Sequence, residues 1–231
     1  MGQCVQGKKS RQSSVVSRQH GILATHDARL TTHRKIGLLG GSFNPAHAGH
    51  LHISLEALKR LKLDEIWWLV SPKNPLKKAD DLADYALRLS FARGLANHPR
   101  IRVLDVEQRH GLYYTIDSIR FLQAHHRDCA FVWLMGADNL AGFHRWRNWR
   151  EIARRLPIAI LDRAPYGIKA LHARFALTHA RYRLSAASAA RLANAAAPQW
   201  VYLAIPRHPL SATFLRKTLG KNAFLRHTAR K

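Results

Sequence analysis

Lys35-Ile-Gly-Leu-Leu-Gly-Gly-Ser-Phe-Asn-Pro-Ala-His-Ala-Gly-His-Leu-His-Ile-Ser54 is the stretch on which the reading of this chain turns. Its apolar run, Ile36 to Leu39, has the length of a buried strand. Gly40 and Gly41 then turn the chain, and Pro45 holds Asn44 extended or turned. From about Gly49 the apolar spacing becomes helical, at Leu51, Leu55, Leu58 and Leu61. The expectation is a strand, a glycine turn and a helix N-terminus. Unpaired N–H groups at such a start, with the positive end of the helix dipole, suit an anion. His47 and His50 stand at that mouth, three residues apart, a spacing that can bring both rings to one side of a helical turn.

The same alternation continues down the chain. Strands are expected at 65–70, 101–106, 130–135, 157–161 and 200–205, and helices at about 82–97, 114–125, within 143–155, and at 211–219. Residues 168–197 are rich in Ala and Arg and read as helical. Apolar strands alternating with helices predict an α/β fold, Rossmann-like and doubly wound, with a mainly parallel sheet covered on both faces. In such sheets ligands bind beyond the carboxyl ends of the strands. The loops at 40–50, 71–78, 136–139 and 206–213 all follow strands, so they can meet on one rim. Residues 1–34 are polar and basic and read as a disordered tail. Residues 35–220 form one domain, and 221–231 a second basic tail.

Composition narrows the classes. The chain has 231 residues, is 47% hydrophobic and carries a net charge of +24. No apolar run is long enough to span a membrane. Two cysteines far apart suggest no disulfide framework, which favours the cytoplasm. The charge would suit nucleic acid, acidic membranes or phosphorylated metabolites. Many of the arginines sit among Ala and Leu at helical spacing, where a solvated face is the simpler account. A basic nucleic-acid-binding protein is the rival from another class, and it gives no reason for the ordered loop motifs.

Taken singly, the features of the mouth are modest. Two glycines are commonly a tight turn, and His47 and His50 are two of fifteen histidines. No Gly-Lys-Ser/Thr follows, and the dinucleotide Gly-x-Gly-x-x-Gly pattern is absent. No third and fourth ligand stands at zinc spacing. The combination of strand, Gly-Gly, Asn-Pro, His-x-Gly-His and helix is more specific than any part.

That combination, Gly40-Gly-Ser-Phe-Asn-Pro-Ala-His-Ala-Gly-His50, resembles the signature of the nucleotidyltransferase superfamily with the His-x-Gly-His motif. Ser71-Pro-Lys-Asn-Pro-Leu-Lys77, Tyr114-Thr115, Met135-Gly-Ala-Asp-Asn-Leu140, Phe143-x-x-Trp146 and Ser211-Ala-Thr-Phe-Leu-Arg216 follow in order. Together they are similar to the bacterial nicotinate-nucleotide adenylyltransferases. The resemblance implies transfer of AMP from ATP to nicotinate mononucleotide, giving deamido-NAD and pyrophosphate. An adenylyltransferase for another phosphorylated acceptor, such as nicotinamide mononucleotide, is the nearest alternative.

The resemblance also implies roles. Gly40, Gly41, Ser42, Phe43, His47 and His50 would bind ATP, joined by Ser211, Thr213 and Arg216 at a second helix start. His47, His50 and Arg216 would carry the catalysis. Asn44, Asn74, Lys77, Thr115, Asp138, Trp146 and Arg147 would bind nicotinate mononucleotide, with Trp146 stacked on the pyridine ring. Trp146 and Trp149 are also at helical spacing and could both be core. Arg147 stands where the family often has an aromatic residue, and Asn44 where it commonly has Asp. Mg²⁺ is expected to arrive with ATP, held by triphosphate and water rather than directly by protein groups. The expected partners are the two substrates; the sequence leaves a homo-oligomer open.

Overall fold

A computed structural model describes residues 33–73, 82–162 and 167–206. The chain divides into two units, Met1–Thr31 and Thr32–Lys231, and every described residue belongs to the second. Its elements run β1 (Arg34–Gly41), α1 (Ala48–Leu61), β2 (Glu65–Val70), α2 (Tyr85–Leu95), β3 (Ile101–Leu104), α3 (Val106–Arg109) and α4 (Thr115–His125). They continue with β4 (Cys129–Gly136), α5 (Ala137–Leu140), α6 (Trp149–Arg155), β5 (Ile158–Asp162), α7 (Arg174–Thr178), β6 (Arg183–Leu184) and β7 (Trp200–Ala204).

The strands form one parallel sheet in the order β3-β2-β1-β4-β5-β7-β6. The chain winds outward from β1 to β3, then returns through α4 to lay β4 on the other side of β1. The order therefore reverses between β1 and β4, where a doubly wound sheet opens a crevice at its carboxyl edge.

Successive side chains point to opposite faces, and both faces are buried. Leu38, Trp67, Leu69, Trp133, Ile158 and Trp200 face one layer, into which α4 packs Ile116, Ile119 and Leu122. Leu39, Trp68, Val132, Leu134 and Val201 face the other, where α1 packs Ile53, Ala57, Leu58 and Leu61. α1 keeps Lys59 and Arg60 in its last turn, favourably placed for the helix dipole, and stops at Lys62 in the left-handed region.

Three expectations change. Arg34, counted with the tail, is the first residue of β1, and its guanidinium pairs with Glu65. The third strand ends at Leu104; Val106 opens the short α3 and meets the core from there. Residues 168–197 are not a continuous helix. They are 3-10 segments at Gly167–His172, Ala180–Tyr182 and Ala186–Asn194, broken by α7 and by the two-residue strand β6. Packing of the last segment against α1 and β7 overrides the helical propensity of its alanines. The expected helix at 211–219 lies outside the described residues. No helix among the described residues is long and apolar enough to cross a membrane.

Candidate active site

The segment after β1 carries the first half of the site. His47 is the N-cap of α1 in extended backbone, and its Nδ1 accepts from Gly49 N–H at 3.0 Å. His50, three residues on, accepts the His47 N–H on its own Nδ1 at 3.2 Å. The two form a reciprocal capping box with histidine at both positions. Each Nδ1 is an acceptor, so each neutral ring carries its proton on Nε2. The local backbone thus sets the tautomer of both imidazoles as Nε2–H donors, with ring centres 4.0 Å apart.

The support beneath is apolar and hydrogen-bonded. Phe43, in the left-handed region at φ 45°, turns its ring inward onto Trp68 at 5.1 Å. That ring belongs to the core, so Phe43 does not present its side chain to a ligand. Trp68 Nε1 donates to Ser54 Oγ, and Ser54 donates in turn to the His50 carbonyl. Asn44 is buried, and its Oδ1 accepts from Ala83 N–H at 3.1 Å. Aspartate at that position would place a carboxylate in the same burial.

Gly40 needs its lack of a side chain. A Cβ there would come within 2.6 Å of Cη2 of Trp133. Trp133 in turn meets Trp146 edge to face at 6.2 Å. Trp146 is half-buried, and the neighbouring Arg147 lies exposed with its guanidinium 4.5 Å from the centre of the Tyr114 ring. Tyr114 is the N-cap of α4, and Thr115 is its first residue. A continuous path of contacts therefore runs from Gly40 through Trp133, Trp146, Arg147 and Tyr114 to Thr115. Gly40 and the residues expected at the acceptor are thus linked through the buried Trp133. Trp149, by contrast, is core, packed with Phe143 and Phe175.

Asp138 is exposed in the first turn of α5, at the end of β4. Its Oδ1 folds back so closely that a Cβ on Gly136 would lie 2.2 Å away. Gly41 closes β1, and the Ser42 carbonyl accepts from Arg88 Nη1 at 2.6 Å. Asn74, Lys77, Ser211, Thr213 and Arg216 lie outside the described residues. The chain leading to the last three leaves β7 beside α1, where His52 Nε2 meets the Pro206 carbonyl at 2.8 Å. No cluster of three or more His, Cys, Asp or Glu suited to a metal occurs among the described residues.

Two residues behind the rim escaped the sequence reading. Arg88, on α2, is 1% exposed. Glu107, on α3, is 6% exposed and accepts from Ser118 Oγ of α4 at 2.7 Å. Burial pushes the Glu107 carboxyl up to about 7, with the Ser118 bond opposing. Arg88 falls in the helix expected at about 82–97, and Glu107 just after the expected third strand, with no role assigned to either.

Comparison with known proteins agrees with this geometry. A profile for cytidylyltransferase-like proteins matches residues 38–218. A protein of Bradyrhizobium sp. (strain ORS 278), named "Probable nicotinate-nucleotide adenylyltransferase", is 52% identical over 186 residues, covering 80% of this chain and 97% of its own length. One of the same name from Brucella suis biovar 1 (strain 1330) is 45% identical over 188 residues, covering 81% and 97%. Among solved structures, a Plasmodium falciparum nicotinic acid mononucleotide adenylyltransferase complexed with NaAD superposes with a TM-score of 0.61 at 18% identity. That match covers 82% of this chain and 85% of the other.

Proposed function

This chain belongs to the cytidylyltransferase-like family and, within it, to the nicotinate-nucleotide adenylyltransferases, and we propose that it transfers AMP from ATP to nicotinate mononucleotide. The products are nicotinate adenine dinucleotide and pyrophosphate. The observation that carries this reading is the pair of imidazoles at the start of α1, in the segment after β1, each with its Nδ1 bonded to backbone and its Nε2 left to carry the proton.

A phosphate oxygen of the mononucleotide attacks the α-phosphorus of ATP in line. One P–O bond forms, the bond to the β-phosphate bridging oxygen breaks, and negative charge moves onto pyrophosphate. The protein has no covalent step to perform; it positions the two phosphates and stabilises charge. His47 and His50 donate to the triphosphate as that charge grows, and the start of α1, already capped by these two rings, adds its dipole. A preorganised donor of this kind contributes ~2.7–4 kcal/mol, or about 10²–10³ in rate. A helix dipole contributes ~0.3–1 kcal/mol. The side chains therefore dominate. Arg216, with Ser211 and Thr213, completes the phosphate site in this reading, and Arg suits it through its planar fork of donors.

On the acceptor side, Trp146 offers a half-buried ring face, and Thr115 offers a backbone N–H at the start of α4. Arg147 brings a cation beside them, which favours an acceptor carrying a carboxylate. Asn74 and Lys77, outside the described residues, join the acceptor side in this reading. Mg²⁺ fits this site as a companion of the triphosphate. The donors gathered at the mouth are nitrogen atoms already bonded to backbone, whereas Mg²⁺ takes oxygen ligands and retains water. Asp138 would hold such an ion through water. When bound, it neutralises charge on the leaving pyrophosphate.

The test is pyrophosphate release with ATP and a panel of acceptors: nicotinate mononucleotide, nicotinamide mononucleotide and phosphopantetheine. Turnover should be highest with the first. Strong preference for the amide, or silence with all three, would refute the assignment.

A further inference from the structure

Arg88 is the fourth residue of α2 and is almost wholly buried, which makes its chemistry unusual. A cation in the first turn of a helix opposes the dipole. A buried charge is costly unless it is paired and hydrogen-bonded. Arg88 forms no ion pair with a carboxylate among the described residues. Asp84, the nearest acid in sequence, caps α2 by accepting from Ala86 and Leu87 N–H. Desolvation pushes the Arg88 guanidinium below its usual range. Burial and the helix dipole both disfavour a cation here.

Its hydrogen bonds point to a different purpose. Nη1 donates to the Ser42 carbonyl at 2.6 Å and to the Ser71 carbonyl at 2.7 Å. Nη2 donates to the Pro72 carbonyl at 3.0 Å, and Nε to the Ala83 carbonyl at 3.0 Å. Tyr85 supports the guanidinium, its ring centre 5.4 Å away. The four carbonyls come from three places: the segment after β1, the segment after β2, and the approach to α2. Ser42 lies within the Gly40–His50 mouth, and Ser71 and Pro72 open the acceptor loop. Asn44 adds a second tie from the mouth to Ala83. A planar trans peptide points its N–H opposite to its C=O. Drawing the Ser42 and Pro72 carbonyls inward therefore turns the Phe43 and Lys73 N–H groups away from Arg88.

We infer that Arg88 is a positioning residue for the transfer: its buried guanidinium ties the donor-side loop after β1 to the acceptor-side loop after β2 and so fixes the separation of the two substrates. This rests on the reading of the rim as a two-substrate site. Each half keeps its own ligand groups when Arg88 is lost, but their mutual register relaxes. In-line transfer is sensitive to that register, and a misplacement of about 1 Å can cost ~10²-fold in rate.

The test uses the full chain with Arg88→Met and Arg88→Lys, each first checked for folding by thermal melting. Turnover of ATP with nicotinate mononucleotide is compared with the affinity for each substrate measured alone by calorimetry. Arg88→Met should lose ~10–100-fold in kcat while each single-substrate Kd stays near that of the wild type. Arg88→Lys, which keeps a cation and three donors, should recover part of the loss. Unchanged kcat per folded molecule would overturn the inference, as would lost affinity with intact kcat. If neither variant folds, Arg88 serves the fold and the inference fails. An inactive wild-type enzyme in the same assay would instead count against the transfer reaction itself.

Discussion

Replacing His47 by Asn separates the two things its ring does at the start of α1. Asn is among the preferred N-caps and keeps an acceptor for the Gly49 N–H, but it cannot supply an imidazole Nε2–H to a phosphate. His47→Asn should therefore melt near the wild type yet lose about 10²–10³ in turnover. His47→Ala should lose the same activity and, in addition, ~0.5–2 kcal/mol of stability in a denaturant titration. Equal melting of the two variants would remove the cap from the account. Glu107 gives a prediction in pH. Its carboxyl rises from the ordinary 4.5 to about 7 on folding, so the folded chain holds the proton more tightly than the unfolded one. Its destabilising effect is absent well below pH 4.5, grows between 4.5 and 7, and is complete above 7. Glu107→Gln should match the wild type in acid and exceed it progressively toward pH 7, by at most roughly 3 kcal/mol. A stability difference independent of pH would contradict this. The sequence showed His47 and His50 through their spacing, but not their capping, because histidine is not among the usual caps. It hid Arg88 and Glu107, because burial of a charged letter depends on partners distant in the chain.

At the scale of elements, β1 and α1 were readable because their apolar periods are unambiguous and a glycine pair divides them. β2 was readable to the residue, since Glu65–Val70 is apolar throughout after its first residue and borders a loop with two prolines. The Ala- and Arg-rich stretch was not. Alanine favours helix intrinsically, but Ala189, Leu192 and Ala193 are held against α1 in 3-10 geometry by tertiary packing. A two-residue strand such as β6 is too short for any period to register. The contact between β1 and Trp133 supplies the prediction at this scale. Gly40→Ala forces a Cβ against the indole, and overpacking of this kind costs ~1–3 kcal/mol. The indole is also in contact with Trp146, so the variant should show weaker binding of nicotinate mononucleotide alongside a lower melting temperature. A lower melting temperature with unchanged mononucleotide affinity would disconnect Trp133 from the acceptor side.

For the whole molecule, the parallel sheet sends the loops that follow its strands to one pole. Strand alternation alone announced that pole, while the β1/β4 reversal that selects the crevice required the strand order. Removing residues 1–31 takes away one unit and leaves β1 whole, so the truncated protein should keep its kcat with ATP and nicotinate mononucleotide. A folded but inactive truncation would assign that unit to the site. The opposite pole has a practical use. β1 starts there at Arg34, and Cys129, half-buried at the start of β4, pairs with it in register. The truncation also discards Cys4, leaving a single thiol in the chain. Coupling that thiol to a bead or sensor chip would anchor the enzyme by its foot, every molecule oriented alike, with the crevice turned toward the flowing substrates.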